Sequence, residues 1–128
     1  MTSKLSTAQG ILKAKKVLEK VIEITPLKEN EQLSMEFGAK IFLKREDLQV
    51  VRSYKIRGAY NFMSQLNTEQ KKQGVVCSSA GNHAQGFALS CSLLKIKGTV
   101  FMPATTPKQK VNAVDRLGKR TNDAADDK

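Results

Sequence analysis

The sequence has no tryptophan, one histidine, two cysteines and three prolines, with two tyrosines and five phenylalanines in 128 residues. Each scarcity excludes something. His83, with Cys77 and Cys91 lying 14 positions apart, cannot assemble a tetrahedral Cys/His ligand set, so no metal site is expected. Two cysteines are also too few for a disulfide-stapled secreted scaffold, and Met1-Thr-Ser-Lys-Leu-Ser lacks the apolar run of a secretory signal. Both features point to a cytoplasmic protein with reduced thiols. No apolar stretch approaches the ~20 residues of a membrane span, so no membrane partner is expected. The net charge of +10 would permit contact with nucleic acid, yet the cations are spread along the chain and no basic tract alternates with stacking aromatics. Nucleic acid is therefore not expected as a partner.

What is present is an alternation of short apolar runs with helical patterns. Ser6 followed by Gln9 fits a capping box, and Ile11, Ala14, Leu18, Val21 and Ile22 then recur at helical spacing, with Lys13, Lys16, Glu19, Lys20 and Glu23 facing outward. Thr25-Pro26 ends that helix, because the residue before proline is driven out of the helical region. Lys28 to Phe37 predicts a short helix closed by Gly38. Ile41 to Leu43 predicts the first strand, and Lys44 to Asp47 a charged loop with ion pairs of about 0 to 1 kcal/mol each. From Ser53 onward Ile56, Ala59, Tyr60, Met63 and Leu66 mark one helix face, and Asn67 to Gly74 a further short turn.

Val75 to Cys77 reads as a buried parallel strand. Ala84, Phe87, Ala88, Cys91 and Leu94 then line the inner side of a helix ended by Gly98. Thr99 to Met102 is the third strand, Thr106 and Pro107 a cap and first helical residue, and Val111, Val114 and Leu117 a stripe closed by Gly118. Such alternation implies right-handed βαβ units, hence an α/β fold: a parallel sheet with helices on both faces and ligands at the carboxyl ends of its strands.

Two stretches fall at those ends. Between the second strand and the next helix, Ala80-Gly81-Asn82 makes a tight turn into a helix N-terminus, where free backbone N–H groups and the positive dipole end attract an anion. Near the start of the earlier helix sits Lys55. Read alone, it is either a desolvated, nucleophilic amine able to attack a carbonyl or one more solvated cation.

The surrounding residues resemble a known family. Lys44-Arg-Glu-Asp-Leu-Gln and Ser53-Tyr-Lys-Ile-Arg-Gly-Ala59 resemble the pyridoxal-phosphate attachment site of the serine/threonine dehydratases, closest to threonine dehydratase. Ser78-Ser-Ala-Gly-Asn-His-Ala-Gln-Gly86 resembles the asparagine loop of the same enzymes. The likeness covers roughly residues 11 to 117. It implies part of a fold-type-II domain of the tryptophan synthase beta kind, with pyridoxal 5'-phosphate as cofactor, held by Lys55 as a Schiff base. It implies that Lys55, once free, removes the substrate Cα proton. Asn82 would bond the cofactor ring hydroxyl, although an asparagine there could instead cap the following helix. Ser79, Gly81 and His83 would receive the carboxylate of a small amino-acid substrate. Tyr54 would shield the cofactor or pack beneath it.

The reaction implied is deaminating dehydration of L-threonine, with L-serine as the smaller alternative, to 2-oxobutanoate or pyruvate and ammonia, in isoleucine biosynthesis. Ala80 stands where related serine racemases carry a hydroxyl residue, which favours elimination over racemisation. Full-length members of the family imply homo-oligomers.

Two features depart from the family. Its later part supplies a glycine-rich cup for the cofactor phosphate, whereas the eight glycines here, at 10, 38, 58, 74, 81, 86, 98 and 118, are never adjacent. After residues 1–118, expected to be the N-terminal part of a dehydratase catalytic domain, residues 119–128 form a polar tail whose composition predicts disorder. These departures make the chain read as truncated, marginally stable and inactive alone. A non-catalytic fragment or interaction module is the alternative, and a basic anion or nucleic-acid binder, betrayed by steep salt dependence, a third.

Overall fold

In the computed structural model, which describes residues 7–119, the elements run α1 (Ala8–Leu18), β1 (Leu27–Glu29), α2 (Glu31–Phe37), β2 (Phe42–Lys44), α3 (Lys55–Ser64), α4 (Thr68–Gln73), β3 (Val75–Ser78), α5 (Asn82–Leu94), β4 (Gly98–Phe101) and α6 (Lys108–Lys119). A 3-10 turn at Glu46–Leu48 follows β2. The α/β class expected from the alternation holds. Strands β3 and β4 pair in parallel, Val75 opposite Gly98 and Ser78 opposite Phe101, with α5 as the crossover between them.

The outer strands differ from expectation. Leu27–Glu29 forms β1 and pairs antiparallel with β2, Leu27 opposite Lys44. The strand foreseen at Ile41 therefore belongs to a separate two-stranded sheet. An i+2 alternation reveals a strand but not the direction of its partner. The expectation of a buried β3 is also corrected in part: Cys77 is buried, whereas Val76 on the other face is 73% exposed. Among the described residues α5 covers one face of the β3–β4 pair.

Helix α5 is apolar on nearly every side and is accordingly central. Toward α3 and α6, Ala88 and Leu89 join Val51, Ile56 and Leu117, with Val21, Ile22, Tyr60 and Val114 around them. Toward the strands, Phe87 and Cys91 join Met63, Cys77 and Ile96. One helix thus links both clusters. Ser90, fully buried, satisfies its hydroxyl by donating to the Gly86 carbonyl at 2.7 Å.

Helix ends explain the remaining differences. Thr7 caps α1 by accepting from the Gly10 N–H; Ser6 lies outside the described residues. The helix stops at Leu18, earlier than Thr25-Pro26 required, and Ile11 stays exposed. Gly38 closes α2 in the left-handed conformation, as the sequence implied, and the short turn expected at Asn67 is a helix whose start Asn67 and Gln70 close with a reciprocal capping box. Lys95, at φ 54°, ends α5, so Gly98 is free to open β4. Thr106 does not cap α6: its hydroxyl is buried and has no hydrogen-bond partner among the described residues. Gly118 lies inside α6, so that glycine does not close the helix. Beyond Lys119 the polar tail lies outside the described residues.

Candidate active site

The site is built where α3 and α5 begin. Gly86 in the second turn of α5 lies so near the start of α3 that a β-carbon there would stand 3.0 Å from both the Lys55 carbonyl carbon and the Ile56 nitrogen. A side chain there would force the backbone of α3 to give by a few tenths of an ångström, which glycine avoids. Asn82 precedes Gly86 by four residues, so it occupies the same helix face one turn, about 5.4 Å, toward the N-terminus. The crossover thereby brings the Gly86 turn of α5 against the first residue of α3, with Asn82 one turn nearer the carboxyl end of β3. Two blocks 27 positions apart in sequence (82 − 55) meet there.

Lys55 is half-buried, and its amine lies over the Tyr54 ring, 5.0 Å from the centroid. Tyr54 itself is 59% exposed, so it forms no part of the core. The Lys55 N–H donates weakly to the Ser53 hydroxyl at 3.4 Å. Ser53 is buried, and the turn before it contains an unusual residue: Arg52 has φ 58°, a left-handed conformation that costs most residues of order 1 kcal/mol or more.

On the other side, Gly81 is the N-cap of α5 and provides no side-chain hydrogen bond. Asn82 is therefore the first helical residue, and the capping role open to it in the sequence falls to Gly81. Ser79 is half-buried and its hydroxyl accepts from the Gly81 N–H at 3.3 Å, while Asn82 and His83 are exposed. A helix start without a side-chain acceptor leaves its first-turn amides directed at solvent or a ligand. The adjoining helix starts thus carry an amine at Lys55, a carboxamide at Asn82, a hydroxyl at Ser79 and the first-turn amides of α5.

The charged loop carries more structure than its composition implied. Glu46 takes a two-pronged contact from Arg57, Nε to Oε2 at 2.8 Å and Nη2 to Oε1 at 2.7 Å, and accepts the Thr25 hydroxyl at 2.5 Å. Arg57 holds the Glu46 carboxyl well down, to about 2, despite the opposing effect of burial. Arg45 and Asp47 make the local, exposed pair that the sequence did imply. The Glu46–Arg57 pair spans 11 positions and crosses elements, so the loop composition gave no signal for it.

Among the described residues no group of three or more His, Cys, Asp or Glu could hold a metal ion, and no helix is long and apolar enough to cross a membrane. A groove of about 1190 Å³ between α5, β4 and α6, lined in part by Cys91, Ile96 and Val114, does not include Lys55 or Asn82.

Comparison with known proteins assigns the family. The sequence profile of the family described as "Pyridoxal-phosphate dependent enzyme" matches residues 18–127. The chain belongs to this family. It is 56% identical over 115 residues to the biosynthetic L-threonine dehydratase IlvA of Bacillus subtilis, which covers 90% of this chain and 27% of that protein. With its counterpart from Halalkalibacterium halodurans the identity is 49% over 125 residues, covering 93% of this chain and 30% of the other. The chain thus spans little more than a quarter of the length of these curated relatives. Among solved structures, the processed form of threonine deaminase isoform 2 from Solanum lycopersicum superposes with a TM-score of 0.73 at 40% identity, covering 88% of this chain and 32% of that one. Maize serine racemase superposes at 0.82 with 32% identity, covering 90% and 35%.

Membership of a pyridoxal-phosphate dependent family makes pyridoxal phosphate the implied cofactor, and the residues present fit one edge of it. By their chemistry the amine of Lys55, at the start of α3, suits the aldehyde, and the carboxamide of Asn82, at the start of α5, suits the neighbouring ring hydroxyl. The glycines, none adjacent to another, provide no continuous loop for the phosphate.

Proposed function

We propose that this chain carries the lysine-bearing part of a threonine dehydratase site, deaminating L-threonine to 2-oxobutanoate and ammonia in the service of isoleucine biosynthesis. One observation carries the reading: the Gly86 contact that seats the start of α5 against Lys55. The names of the most similar relatives support the substrate class. Ala80, which has no hydroxyl to donate a proton, supports elimination over racemisation. Two buried free thiols support a reducing, cytoplasmic setting.

When bound, pyridoxal phosphate supplies an electron sink that makes the substrate Cα proton acidic. The chain supplies the rest. Lys55 Nζ would hold the cofactor by its aldehyde and, when not so engaged, would take the substrate Cα proton. The Ser79 hydroxyl and the first-turn amides of α5 would hold the carboxylate, and Asn82 would hold the ring by its hydroxyl edge. Loss of the β-hydroxyl as water and hydrolysis of the resulting enamine leave the keto acid and ammonia, so the water released is returned.

Borohydride trapping with excess pyridoxal phosphate, followed by peptide mapping, tests the assignment. The label should fall on Lys55, vanish in Lys55→Ala and decrease when L-threonine, but not D-threonine, is added first. Label distributed evenly over the lysines would refute it.

A second reading, a non-catalytic piece that docks on further polypeptide, is favoured by the open sheet face around Val76 and the 61% exposed Phe101. Keto-acid production by the chain alone would dismiss that reading.

A further inference from the structure

We propose that Glu46 and Arg57 are positioning residues for Lys55, fixing the turn that presents its amine, so that the selectivity of Lys55 for an aldehyde depends on their contact. The inference rests on the reading of Lys55 as the reactive amine.

The observations converge on the span from Glu46 to Arg57. Its two ends are joined by the paired bonds of 2.7 and 2.8 Å, and the Glu46 side chain retains 14% of its exposure. The same carboxylate accepts the hydroxyl of Thr25, a buried residue, and a long bond of 3.5 Å from Gln49. Gln49 in turn donates to the Glu23 carbonyl at 2.9 Å and accepts the Glu23 N–H at 3.1 Å, while Lys44 donates to the Thr25 carbonyl. One carboxylate therefore ties together the 23–25 segment, the 3-10 turn and α3.

What lies inside the closed span needs holding. Gln49 and Val51 are almost fully buried, and Arg52 between Val51 and Ser53 is left-handed. A strained residue persists where its surroundings over-determine it. Lys55 follows three positions later, in the first turn of the helix whose first turn also holds Arg57. Releasing Arg57 lets Arg52 relax and rotates the start of α3, which displaces the residue that carries the amine relative to its backbone contact with Gly86. Arginine suits the task because its planar fork meets a carboxylate with two bonds, which fixes orientation as well as distance.

The test uses the whole chain, pyridoxal phosphate and borohydride. The Lys55 amine condenses with the aldehyde and releases water; hydride from borohydride then reduces the carbon–nitrogen double bond, locking the label in place. The readout is label at Lys55 relative to the other lysines, which serve as internal controls. Glu46→Gln and Arg57→Ala should lower that ratio by roughly tenfold, within the range by which misplacing a reacting group acts. Arg57→Lys, which keeps the charge without the fork, should recover part of the loss. Met63→Ala, which opens a cavity at the far end of α3, should lower stability yet leave the ratio unchanged.

A ratio that survives Glu46→Gln, or one that falls equally in Met63→Ala, overturns the inference alone. Absence of Lys55 enrichment in the unaltered chain overturns the reading of Lys55 and the inference with it. Should Glu46→Gln fail to fold, Thr25→Val removes a single bond to the same carboxylate; a lower ratio then supports the inference and an unchanged one overturns it.

Discussion

The Cα of Gly86 faces the peptide joining Lys55 to Ile56 so closely that a methyl group in place of its hydrogen would stand 3.0 to 3.1 Å from three atoms of that backbone. No flexible side chain is available to move aside. The contact therefore sets the spacing of α3 and α5 at the level of main chain, where the start of one helix meets the second turn of the other.

Gly86→Ala should accordingly both destabilise the fold and disturb the site. Overpacking of this kind costs about 1 to 3 kcal/mol. Chemical denaturation should show that loss, and aldehyde labelling should show Lys55 falling toward the level of surface lysines. A variant with unaltered midpoint and labelling would mean that the helices are not fixed by this contact.

The Glu46 carboxyl gives the stability a signature at acid pH. Its folded pKa is about 2 against an ordinary 4.5, the lowering coming first from Arg57. A depressed carboxylate contributes fully above the unfolded value and loses its contribution as pH falls through the folded one. Unfolding free energy should therefore drop between about pH 4.5 and 2, by roughly 2 to 3 kcal/mol after discounting for partial solvent access. Glu46→Gln should flatten that part of the profile; an unchanged slope would place the titrating group elsewhere.

Much of the fold was legible in the sequence for identifiable reasons. Gly38 closes α2 through neighbours within a turn, so its cap could be read locally. Lys55 and Asn82 stood out because long motifs surround them. What escaped was non-local. The antiparallel partner of β2 is β1, a three-residue strand of Leu-Lys-Glu with no alternation to betray it. Gly86 closes the second motif, but nothing local shows that it packs against the start of α3, and the Glu46–Arg57 contact depends on a chain reversal that composition does not encode. Lys95 rather than Gly98 ends α5 because a lysine accepted the left-handed conformation usually left to glycine.

Burial separates the two thiols from reactive cysteines. Desolvation raises Cys91 to about 11 and raises Cys77 as well. A raised thiol contributes stability that is complete below its unfolded value near 9 and is lost as pH climbs through the folded value. Near neutral pH a thiol reagent should modify the folded chain slowly and the denatured chain rapidly at both positions. Above about pH 9 stability should decline, and Cys91→Ala should soften that decline. Rapid modification in the native state would show that the strand-facing side of α5 opens readily.

Two asparagines at helix starts should respond oppositely to the same substitution. Asn67 is the N-cap of α4, accepting from the Gln70 N–H at 2.9 Å while its own N–H donates to the Gln70 side chain at 3.0 Å. Asn67→Ala should cost about 1 kcal/mol of stability without effect on labelling. Asn82 begins α5 one place after the cap, exposed, with Gly81 holding the position that a capping side chain would need. Asn82→Ala should leave stability within about 0.5 kcal/mol, the range of an ordinary surface change. Its effect belongs to the ligand: if the carboxamide bonds the ring hydroxyl, removing it should shift the visible absorbance of the bound cofactor and weaken its retention. A large loss of stability in Asn82→Ala, with the absorbance unmoved, would return this residue to the scaffold and leave Lys55 without its partner.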